Sequence, residues 1–109
     1  MTIGVYSFEI HLPESRSLKD RRQVVRRIKD RIRSRHNAAV VEDGEQADLW
    51  QRAGLFVVSI ASRREVLEEM FEAVLREAES QVPGHVTETG REFIDLYDAG
   101  PDDWRAEEP

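Results

Sequence analysis

The sequence has no cysteine and no long apolar run, and both absences limit what the protein can be. Without cysteine, disulfides, thiol chemistry and thiolate metal sites are excluded. The longest apolar-rich stretch, residues 53–61, is far shorter than the roughly 20 residues that a membrane-spanning helix needs. The N-terminus alternates like a strand, without the basic region and apolar run of a signal peptide. We therefore expect no membrane partner and a cytoplasmic location.

Recognisable catalytic motifs are missing as well. His11, His36 and His85 stand far apart, without the spacing of a metal site. No glycine-rich loop opens a helix, so nucleotide phosphates have no evident cradle. The many glutamates of residues 65–79 are typical of a solvated helix face and not of a paired acid and base. We expect a protein that is not an enzyme and that has no cofactor, no metal site and no small-molecule substrate.

The positive charge, in contrast, is concentrated in one segment. Residues 16–36 hold ten of the sixteen lysines and arginines and only two acids, a net charge of +8. The rest of the chain carries −14, which gives the whole protein its net charge of −6. Such a polarity in an acidic protein indicates a binding surface for a negatively charged partner.

This basic segment is predicted to be a helix. Ser17 can cap its first N–H groups, with Asp20 three residues later. An ending at His36-Asn37 is plausible, because asparagine tolerates the left-handed conformation that ends helices. The apolar positions recur at helical spacing and form one side: Leu18, Val24, Val25, Ile28 and Ile32. The pattern predicts an amphipathic helix with one face against a core.

Five cations form a second stripe beside the apolar one. At about 100° per residue they fall within an arc of roughly 80°, over a length of roughly 21 Å. They are Lys19, Arg22, Arg26, Lys29 and Arg33, and we call them the basic stripe. The stripe is interpreted either as a site for RNA phosphates or as a solvated face that keeps the domain soluble.

The remaining chain supplies four strands and one more helix. Residues 6–12 alternate between apolar and polar and end at Pro13, residues 38–41 form a short strand, and residues 43–46 form a turn. Residues 55–61 are apolar on both faces, which predicts a central strand. A Ser62-x-x-Glu65 capping box opens the second helix, which ends near residues 82–84. Residues 86–97 form the last strand, with a bulge near Gly90.

The element order is therefore strand, helix, strand, strand, helix, strand. Two right-handed strand–helix–strand halves place both helices on the same side of one sheet. This predicts an α+β fold, a ferredoxin-like βαββαβ sandwich with a four-stranded antiparallel sheet. Residues 1–97 form the domain, and residues 98–109 form an acidic C-terminal tail.

Three residues are candidates for a separate interface. Trp50 is predicted either to cap the edge of the core or to serve as a stacking platform or interface anchor, and Arg52 follows it at the start of the central strand. Phe56 lies on the open face of the predicted sheet beside other apolar residues. That face is apolar enough to predict a homodimer or coverage by the tail rather than base stacking. Arg21, which falls inside the apolar stripe, is predicted to snorkel or to pair with a carboxylate such as Asp48.

Three motifs carry a resemblance to a known family. They are residues 11–13 (HLP) with residues 16–22 (RSLKDRR), residues 49–53 (LWQRA), and residues 91–93 (REF). Over residues 2–96 the chain resembles the YlxP-like family, domain-of-unknown-function family 503. The resemblance implies a ferredoxin-like fold and a bacterial origin. It also implies a partner in translation, RNA or the ribosome, since the family's genes often lie among those for translation initiation and ribosome maturation. It supplies no catalytic residue.

Two functional hypotheses follow. In the first, the protein binds structured RNA through the basic stripe, with the shape of the RNA mattering more than its sequence. In the second, it is a protein–protein adaptor or homodimer without a nucleic-acid partner, and the basic helix pairs with the glutamates of a second helix. The acidic tail is expected either to compete for the basic stripe or to be a solubilising terminus.

Overall fold

The computed structural model describes residues 1–44 and 51–96, and these form six elements. In chain order they are β1 (Thr2–His11), α1 (Leu18–Arg35), β2 (Ala39–Glu42), β3 (Arg52–Ala61), α2 (Arg64–Gln81) and β4 (Val86–Asp95). The sheet is antiparallel with the strand order β2-β3-β1-β4. The predicted ferredoxin-like α+β fold is confirmed. Neither helix of the described segments is long and apolar enough to cross a membrane.

The two faces of the sheet have different surroundings. Leu55, Val57 and Ser59 of β3 are buried on the side of the helices, as the alternation predicted. Phe56, Val58 and Ile60 point to the opposite side and are exposed. β3 lies inside the sheet between β2 and β1, so its predicted central position is confirmed. The helices therefore cover one face and leave the other open.

The core lies between the sheet and the two helices, and aromatic rings fill its centre. The Tyr6 and Phe71 rings stack with their centroids 5.0 Å apart, which joins β1 to α2. Gly4 lies directly below this pair, because a Cβ atom added there would be 2.8 Å from the Phe71 ring. The close approach of β1 to α2 therefore depends on the absence of a side chain at Gly4.

The start of α1 and the position of its end at His36 agree with the sequence, but the conformation of that end does not. The Ser17 side chain accepts a hydrogen bond from the Asp20 N–H at 3.2 Å, so the predicted cap is confirmed. At the C-terminus, His36 is extended with φ −132°. No non-glycine residue of the described segments has a positive φ, so the left-handed ending was wrong. β2 begins only three residues after His36, and the chain turns extended at once to reach it.

The predicted capping box of α2 was also wrong. The helix begins at Arg64 after an extended Arg63, and no side chain caps it. β3 continues to Ala61, and only Ser62 and Arg63 lie between the strand and the helix. Arg63 therefore occupies the cap position, and Ser62 lies one residue too early. Glu65 consequently lies at the second helical position, where its charge still favours the helix N-terminus.

The bulge in β4 is confirmed. The register with β1 shifts between Ser7 and Phe8, which pair with Gly90 and Glu88 and leave Thr89 as the extra residue. A Cβ atom at position 90 would be 2.9 Å from the Ser7 Oγ, so the Ser7 hydroxyl would have to turn away to admit a side chain there. β4 ends at Asp95, two residues before the predicted end. The domain boundary at 97 and the acidic tail lie outside the described residues.

Candidate nucleic-acid interface

α1 presents the basic stripe beside the side that it buries. Val25, Ile28 and Ile32 are at most 3% exposed and pack in the core. Lys19, Arg22, Arg26 and Arg33 are exposed, and Lys29 is half-buried. The structure therefore confirms that the five cations share one accessible flank of the helix.

Arg33, a member of the basic stripe, also forms contacts within the protein. Its Nη2 donates to the Val40 carbonyl oxygen at 2.9 Å, and its Nη1 lies 3.8 Å from the Asp30 carboxylate. Val40 belongs to the edge strand β2, so the stripe runs along this edge of the sheet. The guanidinium remains nearly half exposed, which leaves donors available to a ligand.

Two shallow grooves follow the stripe. One, of about 470 Å³, is lined by Lys19, Arg22, Gln23, Arg26, Arg27 and Asp30. The other, of about 260 Å³, lies toward β2 and includes Lys29, Arg33 and Glu42. Arg27 is exposed and joins the first groove although it lies outside the predicted arc. Long side chains widen the basic surface beyond what the helical angle alone predicts.

Arg21 fastens this surface to the sheet. Its side chain is 3% exposed, its Nε donates to the Arg52 carbonyl oxygen at 3.0 Å, and its Nη2 donates to the Glu42 carboxylate at 2.6 Å. The predicted pairing with a carboxylate is thus confirmed with Glu42, while Asp48 lies outside the described residues. A buried guanidinium needs such partners, so Arg21 has a structural role.

The glutamates of α2 leave the basic stripe accessible. Glu68 pairs with Arg64, Glu72 pairs with Arg91, and Glu77 pairs with His36. Across residues 1–44 and 51–96, no ion pair joins the basic stripe to α2. The positive charge of α1 is therefore not neutralised by the neighbouring helix of the same molecule.

The second set of candidate residues lies on the other side of the sheet. Arg52 and Phe56 are exposed on β3 and alternate with the buried Ala53 and Leu55, which places them on the open face. Trp50 lies outside the described residues. The structure therefore separates Arg52 and Phe56 from the basic stripe.

A cluster around Arg91 was not predicted. The Arg91 Nη2 donates to Glu72 at 3.0 Å and to Glu88 at 2.8 Å, and its guanidinium lies 5.2 Å from the centre of the Tyr6 ring. The Glu88 hydrogen bond raises the pKa of Arg91. Burial acts to raise the pKa of Glu88, but the Arg91 cation outweighs it and lowers that pKa. The cluster joins α2 to β4 and gives the REF motif a structural role.

The histidines are less isolated than the sequence indicated. His36 Nε2 lies 2.6 Å from Glu77 Oε2 and links the end of α1 to α2. The backbone N–H of His11 donates to the backbone carbonyl oxygen of His85 at 2.8 Å, and both residues line a cleft of about 400 Å³ together with Glu14 and Asp20. Sequence spacing carries no signal for these pairs, because each joins residues from distant elements. Among the residues with described structure, no group of three or more such side chains forms a metal site.

The comparisons with known proteins agree on the family. A family model described as "Protein of unknown function (DUF503)" matches residues 3–91. The chain is 33% identical over 73 residues to the "Uncharacterized protein YlxP" of Bacillus subtilis (strain 168). This alignment covers 67% of the chain and 78% of that protein. The resemblance inferred from the three motifs is confirmed.

Solved structures bear on the fold alone. A de novo designed protein, Foldit4, matches with a TM-score of 0.50 and 14% identity over 86% of this chain and 96% of that one. A C-terminal segment of the alpha subunit of aIF2 from Pyrococcus abyssi matches with a TM-score of 0.46 and 22% identity, over 84% of this chain and 51% of that one. The second likeness is too weak to support an argument about function.

Proposed function

We propose that this chain, a member of the DUF503 family of unknown function, is a non-enzymatic protein that binds structured RNA through the basic stripe of α1. The expected setting is the ribosome or its maturation in the bacterial cytoplasm. The single observation that carries the proposal is the alignment of five accessible cations along one flank of α1, on a protein whose net charge is −6.

Charge concentration of this kind opposes the stability of the isolated helix. Like charges four residues apart, such as Arg22 with Arg26 and Lys29 with Arg33, each cost a few tenths of a kcal/mol. The described acids of α1 offset little of this, since Asp20 serves the helix start and Asp30 reaches only Arg33. An anionic ligand that runs along the stripe would relieve the repulsion, which supports a polyanion as the partner.

The chemistry of the stripe favours phosphates over bases. Lysine and arginine bind phosphate oxygens by charge-assisted hydrogen bonds, and arginine can do so with two donors at once. The stripe has no aromatic side chain on which an unpaired base could stack, whereas proteins that bind single strands use such rings. Double-stranded RNA is recognised through its shape, its phosphates and its 2′-hydroxyl groups. A folded RNA with helical segments is therefore the partner that the stripe fits best.

Filter binding of the whole protein to ribosomal RNA across a salt series tests the proposal. If about five phosphates are neutralised, log K should fall against log salt with a slope near −4. The variant Arg22→Gln/Arg26→Gln/Lys29→Gln should lose roughly three units of that slope and bind much more weakly at low salt. Absence of binding to RNA at low salt would overturn the proposal.

A matched control separates the stripe from the charge of the protein as a whole. Arg35, Arg63 and Arg76 are exposed and lie outside the stripe, so changing all three to Gln removes the same number of positive charges. This control should retain most of the affinity and the salt slope. An equal loss in both variants would show that no defined site exists.

The alternative function is a protein–protein adaptor or homodimer without RNA. One observation favours association between proteins: the open face of the sheet carries exposed apolar side chains. If the adaptor function is correct, the whole protein binds no RNA at low salt, and the stripe variant retains every protein partner. The two functions therefore give opposite results in the same filter-binding experiment.

A further inference from the structure

The open face of the sheet carries a continuous apolar surface. Its exposed members come from three strands and from the residue after β4: Val41, Phe56, Val58, Ile60, Ile94 and Leu96. Ile3 and Val5 of β1 lie between them and are half-buried. Scattered exposed apolar residues are normal on a protein surface, but a contiguous patch of this kind marks an interaction site.

The side chains of this face match the inner face of a β-sandwich. Ile3 lies opposite both Ile60 and Ile94, and Val5 lies opposite Val58. Such cross-strand rows of branched side chains interdigitate with a second sheet about 10 Å away. Charged residues also share the face: Arg52 at the start of β3, Glu9 of β1 opposite Gly54, and Glu92 of the edge strand β4 opposite Val5. The apolar rows therefore lie together at the end of the face where β1 begins and where β3 and β4 end.

We propose that this open face binds the open face of a second copy of the chain, in a two-fold symmetric dimer. A self-complementary patch is what a two-fold interface requires, because the same surface is used by both subunits. The two sheets would form the centre of a four-layered assembly with the helices outside. The basic stripes would then lie on the outer layers of the dimer and remain accessible.

The area of the face is sufficient for such an interface. Three strands of ten residues and one of four, at about 3.3 Å per residue and about 4.8 Å between strands, present roughly 540 Å². Two such faces, with their polar and charged positions included, bury on the order of 1,100 Å², which is close to the roughly 1,000 Å² expected of a biological interface and below the standard size. The dimer should therefore dissociate at low protein concentration.

Other occupants fit the face less well. A polyanion finds no row of cations there, and Phe56 is the one exposed aromatic ring among the described strands. Residues 97–109 supply Tyr97 and Trp104 as large apolar side chains, together with five carboxylates. Two apolar side chains among five carboxylates are too few to cover the eight apolar positions of the face and exclude water from them, as a second sheet can. The argument for the dimer is independent of the proposed RNA function.

Sedimentation of the full-length chain over a concentration series, from micromolar to millimolar, tests the dimer. Val58 and Val66 form a matched pair, because both are valines with 38% exposure and only Val58 lies on the open face. The wild-type mass should rise with concentration toward twice 12.6 kDa. Val58→Lys should weaken association at least about tenfold, because its ammonium group would be buried without a partner. Val66→Lys should associate like the wild type.

The remaining measurements keep the result decisive. Circular dichroism checks that each variant is folded, and Ile94→Lys on β4 replaces Val58→Lys if the latter unfolds. Association through an apolar face should persist at high salt, whereas pairing of α1 with the glutamates of a neighbour would be lost by screening. A wild type that stays monomeric, or association that Val58→Lys leaves unchanged, would overturn the dimer. If the chain dimerises only after Trp104→Ser, the C-terminal residues cover the face in the wild type, and the proposed dimer is overturned as well.

Discussion

The buried guanidinium of Arg21 donates to the Glu42 carboxylate at 2.6 Å, in the middle of the apolar side of α1. This pair fixes the helix to the end of β2, and the Nε bond to the Arg52 carbonyl oxygen fixes it to the start of β3. Because α1 carries the basic stripe, the same contacts set the position of the stripe relative to the sheet edge.

Removing one member of this pair should be costly. Glu42→Gln takes a charged acceptor from a buried guanidinium, and hydrogen bonds to charged groups contribute about 1.5–3 kcal/mol. Arg21→Met should lower stability as well, but the double variant Arg21→Met/Glu42→Gln should be more stable than the sum of the two losses implies. Urea unfolding of the four proteins measures this coupling. Additive losses would show that the pair contributes nothing.

The sequence identified Arg21 as an exception and the structure supplied its partner. A lone arginine within an apolar stripe is visible in the helical pattern, so a buried pair could be predicted. Glu42 stands 21 residues away on a different element, and no local pattern relates the two. The same applies to Arg91 with Glu72, which meet only because α2 packs against β4. Local periodicity thus predicted the elements and the stripe, and tertiary packing decided the pairs.

The helix boundaries show the same limit. Ser17 was correctly predicted as a cap because the loop before α1 leaves its position free. Ser62 fits the same sequence pattern but follows directly on β3, whose pairing with β1 extends to Ala61. The number of residues in a strand depends on its partners, so a capping box next to a strand end predicts the boundary less well than one in a loop.

A methyl group at Gly4 should disturb the aromatic core. An added Cβ would lie 2.8 Å from the Phe71 ring, which is fully buried and stacked on Tyr6 and has little room to move. Gly4→Ala should therefore cost about 1–3 kcal/mol, which lowers Tm by several degrees.

The control for this change is Gly44→Ala. A Cβ atom added at Gly44 meets nothing within 4 Å and its φ is not positive. Its effect should stay within about 0.5 kcal/mol. Thermal unfolding of both variants compares them directly, and an unchanged Tm for Gly4→Ala would contradict the close packing of β1 against α2.

Arg33 and Arg26 should respond differently to the same substitution. Arg33 donates to the Val40 carbonyl oxygen, so Arg33→Gln should lower the free energy of unfolding by about 0.5–1.5 kcal/mol and weaken RNA binding as well. No ion pair or hydrogen bond within the described structure holds the Arg26 side chain, so Arg26→Gln should weaken RNA binding without changing stability. Urea unfolding and filter binding of both variants provide the two readouts. Equal stability losses would mean that the Val40 contact is not formed.

The last prediction concerns alkaline pH and Tyr6. Burial raises the pKa of the Tyr6 hydroxyl above its ordinary value of 10.0, and the neighbouring Glu88 carboxylate adds to the effect. A group whose pKa is raised by folding stabilises the protein fully below its unfolded pKa. That contribution declines as the pH rises above 10, by up to about 1.4 kcal/mol per pH unit. The loss arises because the unfolded chain ionises its tyrosine while the folded core keeps Tyr6 neutral.

Tyr6→Phe removes this group without changing the stacking on Phe71. The variant should lose less stability than the wild type between pH 9 and pH 11.5, because its ring has no proton to release. Tyr97→Phe, which changes the other tyrosine of the chain, is the control and should follow the wild type more closely. Urea midpoints at a series of pH values measure the difference. If Tyr6→Phe loses stability as steeply as the wild type above pH 10, the alkaline sensitivity comes from other groups, such as the lysines, and not from the buried hydroxyl.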